Sequence, residues 1–120
     1  MRNVLSISLA FALIVTCGNS AGQGIWSEGI IDCGMWVTAR KQNAAGIFEA
    51  HLLGLLNGLA VGRGVDIWKA DGSPMGRDQA NLWMDNYCQS KPLSHVIDGA
   101  KELANEKTRG AFARNGEKLR

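Results

Sequence analysis

Three cysteines and two histidines are the residues of this 120-residue chain best suited to covalent or metal chemistry: Cys17, Cys33, Cys88, His51 and His95. Cys17 lies just past an apolar N-terminal stretch and is expected to leave with it on cleavage. Cys33 and Cys88 then form an even pair, which in an oxidising compartment is expected as a single disulfide. Two buried free thiols and half of a metal site are the alternatives. With 54 residues between the two cysteines, closing the loop would stabilise the fold by about 4 kcal/mol through lost chain entropy in the unfolded state. No CxxC pair occurs, and neither histidine stands at a ligand-like interval, so no metal site is expected.

Acid–base or nucleophilic catalysis needs groups in mutual reach. Glu49 and His51 are two residues apart, which on a helix turns them about 200° from one another. No GxSxG, HExxH or P-loop pattern is present. Asp66, Asp71 and Asp78 lack the alternating spacing and terminal Glu of a calcium loop and read as solvated turn carboxylates. His95 reads as a partly exposed residue, and His51 as an imidazole among leucines with scope for proton sensing. The expectation is a protein with no catalytic residues and no cofactor, not an enzyme.

The elements that would carry any site centre on Ala44 to Val61, read as one long helix ending in Gly62-Arg63-Gly64. A small residue recurs every fourth place, at Gly46, Ala50, Gly54, Gly58 and Gly62, tracing a shallow spiral groove on one side. The expectation is a central helix clasped by others, with Gly54 and Gly58 admitting a neighbouring backbone, so that Gly54→Leu overpacks the contact. A dimer seam, and so a homodimer, is the second reading of the same stripe. Trp36, Trp68, Trp83 and Tyr87 are expected as core rather than as a ligand cage.

Around this helix, Met35 to Gln42 reads as a short helix and Asn43 as the N-cap of the long one. Asp78 is expected to cap a helix over Gln79 to Gln89, with Ala80, Trp83, Met84 and Tyr87 on one face and Cys88 in its last turn. Ser90 is expected to cap the next helix, with Pro92 in its first turn. Leu93, Val96, Ile97, Ala100, Leu103 and Ala104 form its apolar stripe, and Gly110 closes it. Residues 111–120 read as a flexible charged tail. The sum is an all-α single domain, a bundle of about four helices with one disulfide, spanning residues 23–110.

Arg2 followed by an apolar run from Val4 to Val15 and a small, polar stretch to Gly24 has the plan of a secretory signal peptide, residues 1–22. Its removal leaves twelve basic against eleven acidic residues, a balance with no nucleic-acid footprint. Glu49, His51 and Asn57 interrupt the central run, so the mature chain is expected to contain no transmembrane segment and to be periplasmic or secreted.

Cys33 with Trp36 close behind, the glycine-bearing Phe48-to-Gly58 helix, Trp83-Met84-Asp85-Asn86-Tyr87-Cys88 and Pro92-Leu93 together resemble a group of small exported bacterial proteins. The plan is similar to that of HdeA-like periplasmic acid-stress chaperones and of immunity proteins of type VI secreted amidase effectors. The resemblance covers about Cys33 to Leu103. It implies an all-helical, disulfide-bearing protein without a catalytic site, acting by protein binding either as a stress chaperone or as an inhibitor or immunity protein. A structural subunit or homodimeric accessory protein of an exported complex is the alternative. Trp36, Gly54, Gly58, Trp83 and Tyr87 are the candidate interaction or packing residues.

Overall fold

Asp32 starts the first helix. Its carboxylate accepts the Met35 backbone N–H at 2.7 Å, satisfying a donor that the first turn leaves open. A computed structural model describes residues 30–117. Within them the chain forms five helices: α1 Cys33–Lys41, α2 Gly46–Arg63, α3 Arg77–Ser90, α4 Val96–Lys107 and α5 Ala111–Glu117. The fold is all-α and Cys33 is bonded to Cys88, as expected. The expected signal peptide, with Cys17, lies outside the described residues.

Tertiary contacts move several boundaries from where local sequence puts them. Asn43 does not cap α2; it sits in the preceding turn at a φ of 52°, and Ala45 holds the N-cap position without a side-chain bond. Gly64 closes α2 at a φ of 61°, the left-handed conformation expected of a glycine stop. α3 begins two residues earlier than Asp78 would set it: Gln79 Oε1 accepts the Gly76 N–H at 2.7 Å, and Asp78 lies in the first turn near the positive end of the helix dipole.

The largest correction of this kind is at α4. Ser90 and Pro92 do not open it, because two strand-like hydrogen bonds hold the preceding backbone extended. Cys33 donates to the Ser94 carbonyl and Val96 to the Ile31 carbonyl, each at 2.9 Å. This short antiparallel clamp centres on Asp32 and His95 and delays the helix to Val96. Leu93 therefore leaves the apolar stripe and is 95% exposed, whereas Val96, Ala100, Leu103 and Ala104 are buried as expected.

Residues 111–117 are helical rather than a flexible tail. Thr108 caps α5 by accepting the Phe112 N–H at 2.9 Å, and Phe112 packs against Ile67 and Ala104. The main core joins Ile31, Cys33 and Trp36 to Leu52 and Leu56 of α2, to Ala80, Met84, Tyr87 and Cys88 of α3, and to Val96, Ala100 and Leu103 of α4. The clasped helix is α4, which packs on α2, α3 and α5. Gly99 is its point of close approach: a Cβ there would stand 2.8 Å from Met84 Cε and Sδ and from Tyr87 Cδ1.

α2 does not hold the central place expected of it. Only Leu52 and Leu56 among its residues are buried. Gly46, Gly54, Gly58 and Gly62 are exposed, and a Cβ on any of them would meet nothing within 4 Å. Leu52 and Leu56 each lie two residues from Gly54, about 200° round the helix. The leucine stripe on the core thus puts the glycine stripe on the outside.

Candidate functional site

Two clusters of side chains stand out, one that locks the helices together and one that faces outward. The first gathers on Asp85 of α3. The fully buried Trp36 donates its Nε1–H to Asp85 Oδ1 at 2.8 Å, and the Arg40 Nη2–H donates to Asp85 Oδ2 at 2.8 Å. Arg40 also pairs with Glu49, so one guanidinium ties α1 to α2 and α3. The hydrogen bonds to Asp85 hold the Arg40 guanidinium above its usual pKa; partial burial opposes this, and the charges of Asp85 and Glu49 add to it.

On the other side of α3, Trp83 and Tyr87 stack with centroids 5.4 Å apart and planes 14° from parallel. Trp83 Nε1–H donates to Glu106 at 3.1 Å. Lys91 lies 4.9 Å from the Tyr87 ring centroid and donates to Glu102, which raises the ammonium pKa. Trp36, Trp83 and Tyr87 therefore act as packing residues of α1, α3 and α4. The disulfide, with its Cα atoms 4.8 Å apart, joins the start of α1 to the last turns of α3 beside them.

The outward cluster is the free face of α2. Ile47, Ala50, Gly54, Asn57, Gly58 and Val61 are exposed and His51 half-buried. His51, Gly54, Leu55, Gly58 and Leu59 line a shallow, open recess of about 400 Å³. Ile47 is 75% and Val61 84% exposed. Both glycines expected at a contact lie here, but on a surface rather than against another helix of the chain.

Among the described residues no group of three or more His, Cys, Asp or Glu side chains is placed to hold a metal ion, and no helix there is long and apolar enough to cross a membrane. Asp66 and Asp71 act in turns, accepting backbone N–H groups of Trp68 and Ser73. What the α2 face can do chemically is bury apolar surface against a partner whose backbone comes close.

Sequence reasoning missed Asp85, Arg40 and Gly99. Gly99 carries a readable signal, since it sits three residues after Val96 and four before Leu103 on the apolar stripe of α4. Asp85 carries none, because its partners are 45 and 49 residues away. No protein family matches the chain, and no curated protein or solved structure is significantly similar to it.

Proposed function

We propose that the protein is exported and acts without catalysis, by binding another protein through the outer face of α2. The observation that carries this reading is the exposure of Ile47 and Val61 at the two ends of an uncharged surface with no Cβ at Gly54 or Gly58. Burying one such branched side chain is worth about 1.5–3 kcal/mol, so water is a poor occupant for both. The Cys33–Cys88 disulfide supports an oxidising compartment.

The face is open in the folded state, which favours a dedicated inhibitor or immunity-like role: binding needs no prior unfolding. One observation favours the acid-chaperone reading instead. The ties between elements made by Arg40, Lys91 and Lys107 all depend on carboxylates: Glu49 and Asp85, Glu102, and Asp71. Protonation in acid removes those ties while the disulfide keeps α1 tethered to α3. Capture of partners from periplasmic extract at neutral and at acid pH tests both. Wild-type protein is expected to retain a partner at neutral pH that Ile47→Glu with Val61→Glu loses. Retention by both proteins contradicts the assignment of the face, and capture only in acid transfers the reading to the chaperone.

A further inference from the structure

We propose that the recess between α1 and α3 is a binding site for a carboxylate with a peptide unit beside it, the group that ends a peptide chain. Val37, Arg40 and Lys41 fall at i, i+3 and i+4 on α1, and Asp85 and Gln89 at i and i+4 on α3, so each set occupies one side of its helix. Together with Asn43 they line a cavity of about 340 Å³. That is the lower end of the range for ligand pockets, room for the end of a chain rather than for a large cofactor. The recess shares no lining residue with the one on α2, so it is a second site and does not rest on the reading of that face.

Charge decides the class of ligand. Asp85 is already engaged: its carboxylate accepts the Trp36 indole N–H and the Nε–H and Nη2–H of Arg40. Glu49, which is outside the lining, accepts from Arg40 Nη1. A guanidinium carries two N–H groups on each Nη, so Arg40 keeps one on Nη1 and one on Nη2, on a side chain that is 35% exposed. The Lys41 ammonium makes no hydrogen bond or ion pair with any described residue. Within the lining, Arg40 and Lys41 outweigh Asp85 by one positive charge. One negative charge is matched there and a second is not, which selects a carboxylate over a phosphate dianion.

The uncharged groups suit what stands beside that carboxylate. The Asn43 and Gln89 side chains make no hydrogen bond with any described residue, and each amide offers donors and an acceptor. A peptide unit has one N–H and one C=O to meet them. Val37 supplies an aliphatic wall. Asn43 also stands at a φ of 52°, where the Ala44 N–H donates to the Ala39 carbonyl at 2.9 Å and glycine is the usual choice. Asparagine there carries an amide that the turn itself does not use. Lys41, Asn43 and Gln89 are exposed, so their bonds to a ligand compete with water and binding is weak, with a Kd on the order of 1 mM.

NMR titration of the backbone amides of the purified protein, at neutral pH and constant ionic strength, tests this with N-acetylglycine, acetate and N-acetylglycinamide as probes. N-acetylglycine is expected to give saturable shifts at residues 37–43 and at Gln89. Acetate is expected to bind about threefold more weakly for want of the peptide unit, and N-acetylglycinamide, which lacks the charge, not to saturate. Lys41→Gln and Asn43→Gly are each expected to weaken N-acetylglycine by about threefold or more. The thermal midpoint should stay level in Lys41→Gln and stay level or rise in Asn43→Gly, because glycine suits the turn. No saturable shift with N-acetylglycine up to about 100 mM overturns the site. Equal binding of the acid and its amide overturns the carboxylate as the group recognised, and equal binding of acetate and N-acetylglycine overturns the peptide unit beside it. Undiminished binding in both folded variants overturns the assignment of these residues.

Discussion

The same substitution, glycine to alanine, is expected to have opposite effects in α2 and α4. At Gly99 the new Cβ would lie 2.8 Å from three atoms. The Met84 thioether can rotate away, but the Tyr87 ring is 6% exposed and stacked on Trp83, so it must be pushed or the helices must part. Overpacking of this kind costs about 1–3 kcal/mol, and the gain in helix propensity returns about 0.9 kcal/mol. Gly99→Ala should therefore lose about 1 kcal/mol. At Gly54 the Cβ meets nothing within 4 Å, so only the propensity gain of about 0.9 kcal/mol remains. In a domain of this size 1 kcal/mol moves the thermal midpoint by about 4–8 °C, which separates the two variants by roughly 10 °C. Thermal unfolding followed by circular dichroism measures it. Shifts of the same sign would refute the assignment of α4 as the clasped helix and α2 as the open one.

Reducing the Cys33–Cys88 bond should lower stability by about 4 kcal/mol, much of the net stability of a small domain; equal urea midpoints with and without reductant would contradict this. Asp85→Ala strands the buried Trp36 indole N–H and unpairs one side of Arg40, for an expected loss of about 2–3 kcal/mol, tempered because the Arg40 side chain is 35% exposed. Asp85→Asn retains an acceptor for Trp36 and should lose less; equal losses for the two variants would argue against the indole bond. The Lys107 ammonium, followed by the backbone N–H of Ser73, holds the Asp71 carboxyl below its ordinary pKa. The stability this pair contributes is present above the unfolded-state pKa of Asp71 and is lost as pH falls through the lower folded-state value. Lys107→Ala should move the Asp71 titration upward in an NMR titration, and an unmoved carboxyl would discount the pair.

The periodicity of α3 and α4 was legible because both helices put one stripe on one core. Ala80, Met84 and Tyr87, and Val96, Ala100 and Leu103, are buried where a 3.6-residue period places them. The start of α4 was not legible, since the clamp between Ile31–Cys33 and Ser94–Val96 is made by backbone more than 60 residues apart, and side-chain pattern carries no record of it. The stripe of small residues on α2 is legible in the sequence, but its direction is not. Four-residue spacing defines a face without saying whether that face looks in or out, and Leu52 and Leu56, on the far side, settle the question. A single Phe112 gives no period, so α5 has no signal in its own sequence; the burial of Phe112 depends on Ile67, which local sequence cannot supply. The disulfide was legible from counting alone. The Asp85 cluster was invisible for the same reason as the clamp, being built from residues remote in sequence.

The central claim, that the outer face of α2 is open in the isolated molecule and covered when the protein works, is tested most directly by chemical access to its two ends. Ile47→Cys and Val61→Cys, each made alone, place a thiol at positions 75% and 84% exposed, outside the core that holds Cys33 and Cys88. The rate of maleimide labelling is then compared between dilute purified protein and the same protein in intact cells, with a cysteine at Lys69, also exposed, as the reference for reagent entry. The account predicts rapid labelling of all three in dilute solution, and in cells protection of the two α2 positions relative to residue 69. Equal labelling of the three positions in cells would contradict it, because a face that remains open where the protein works has no partner.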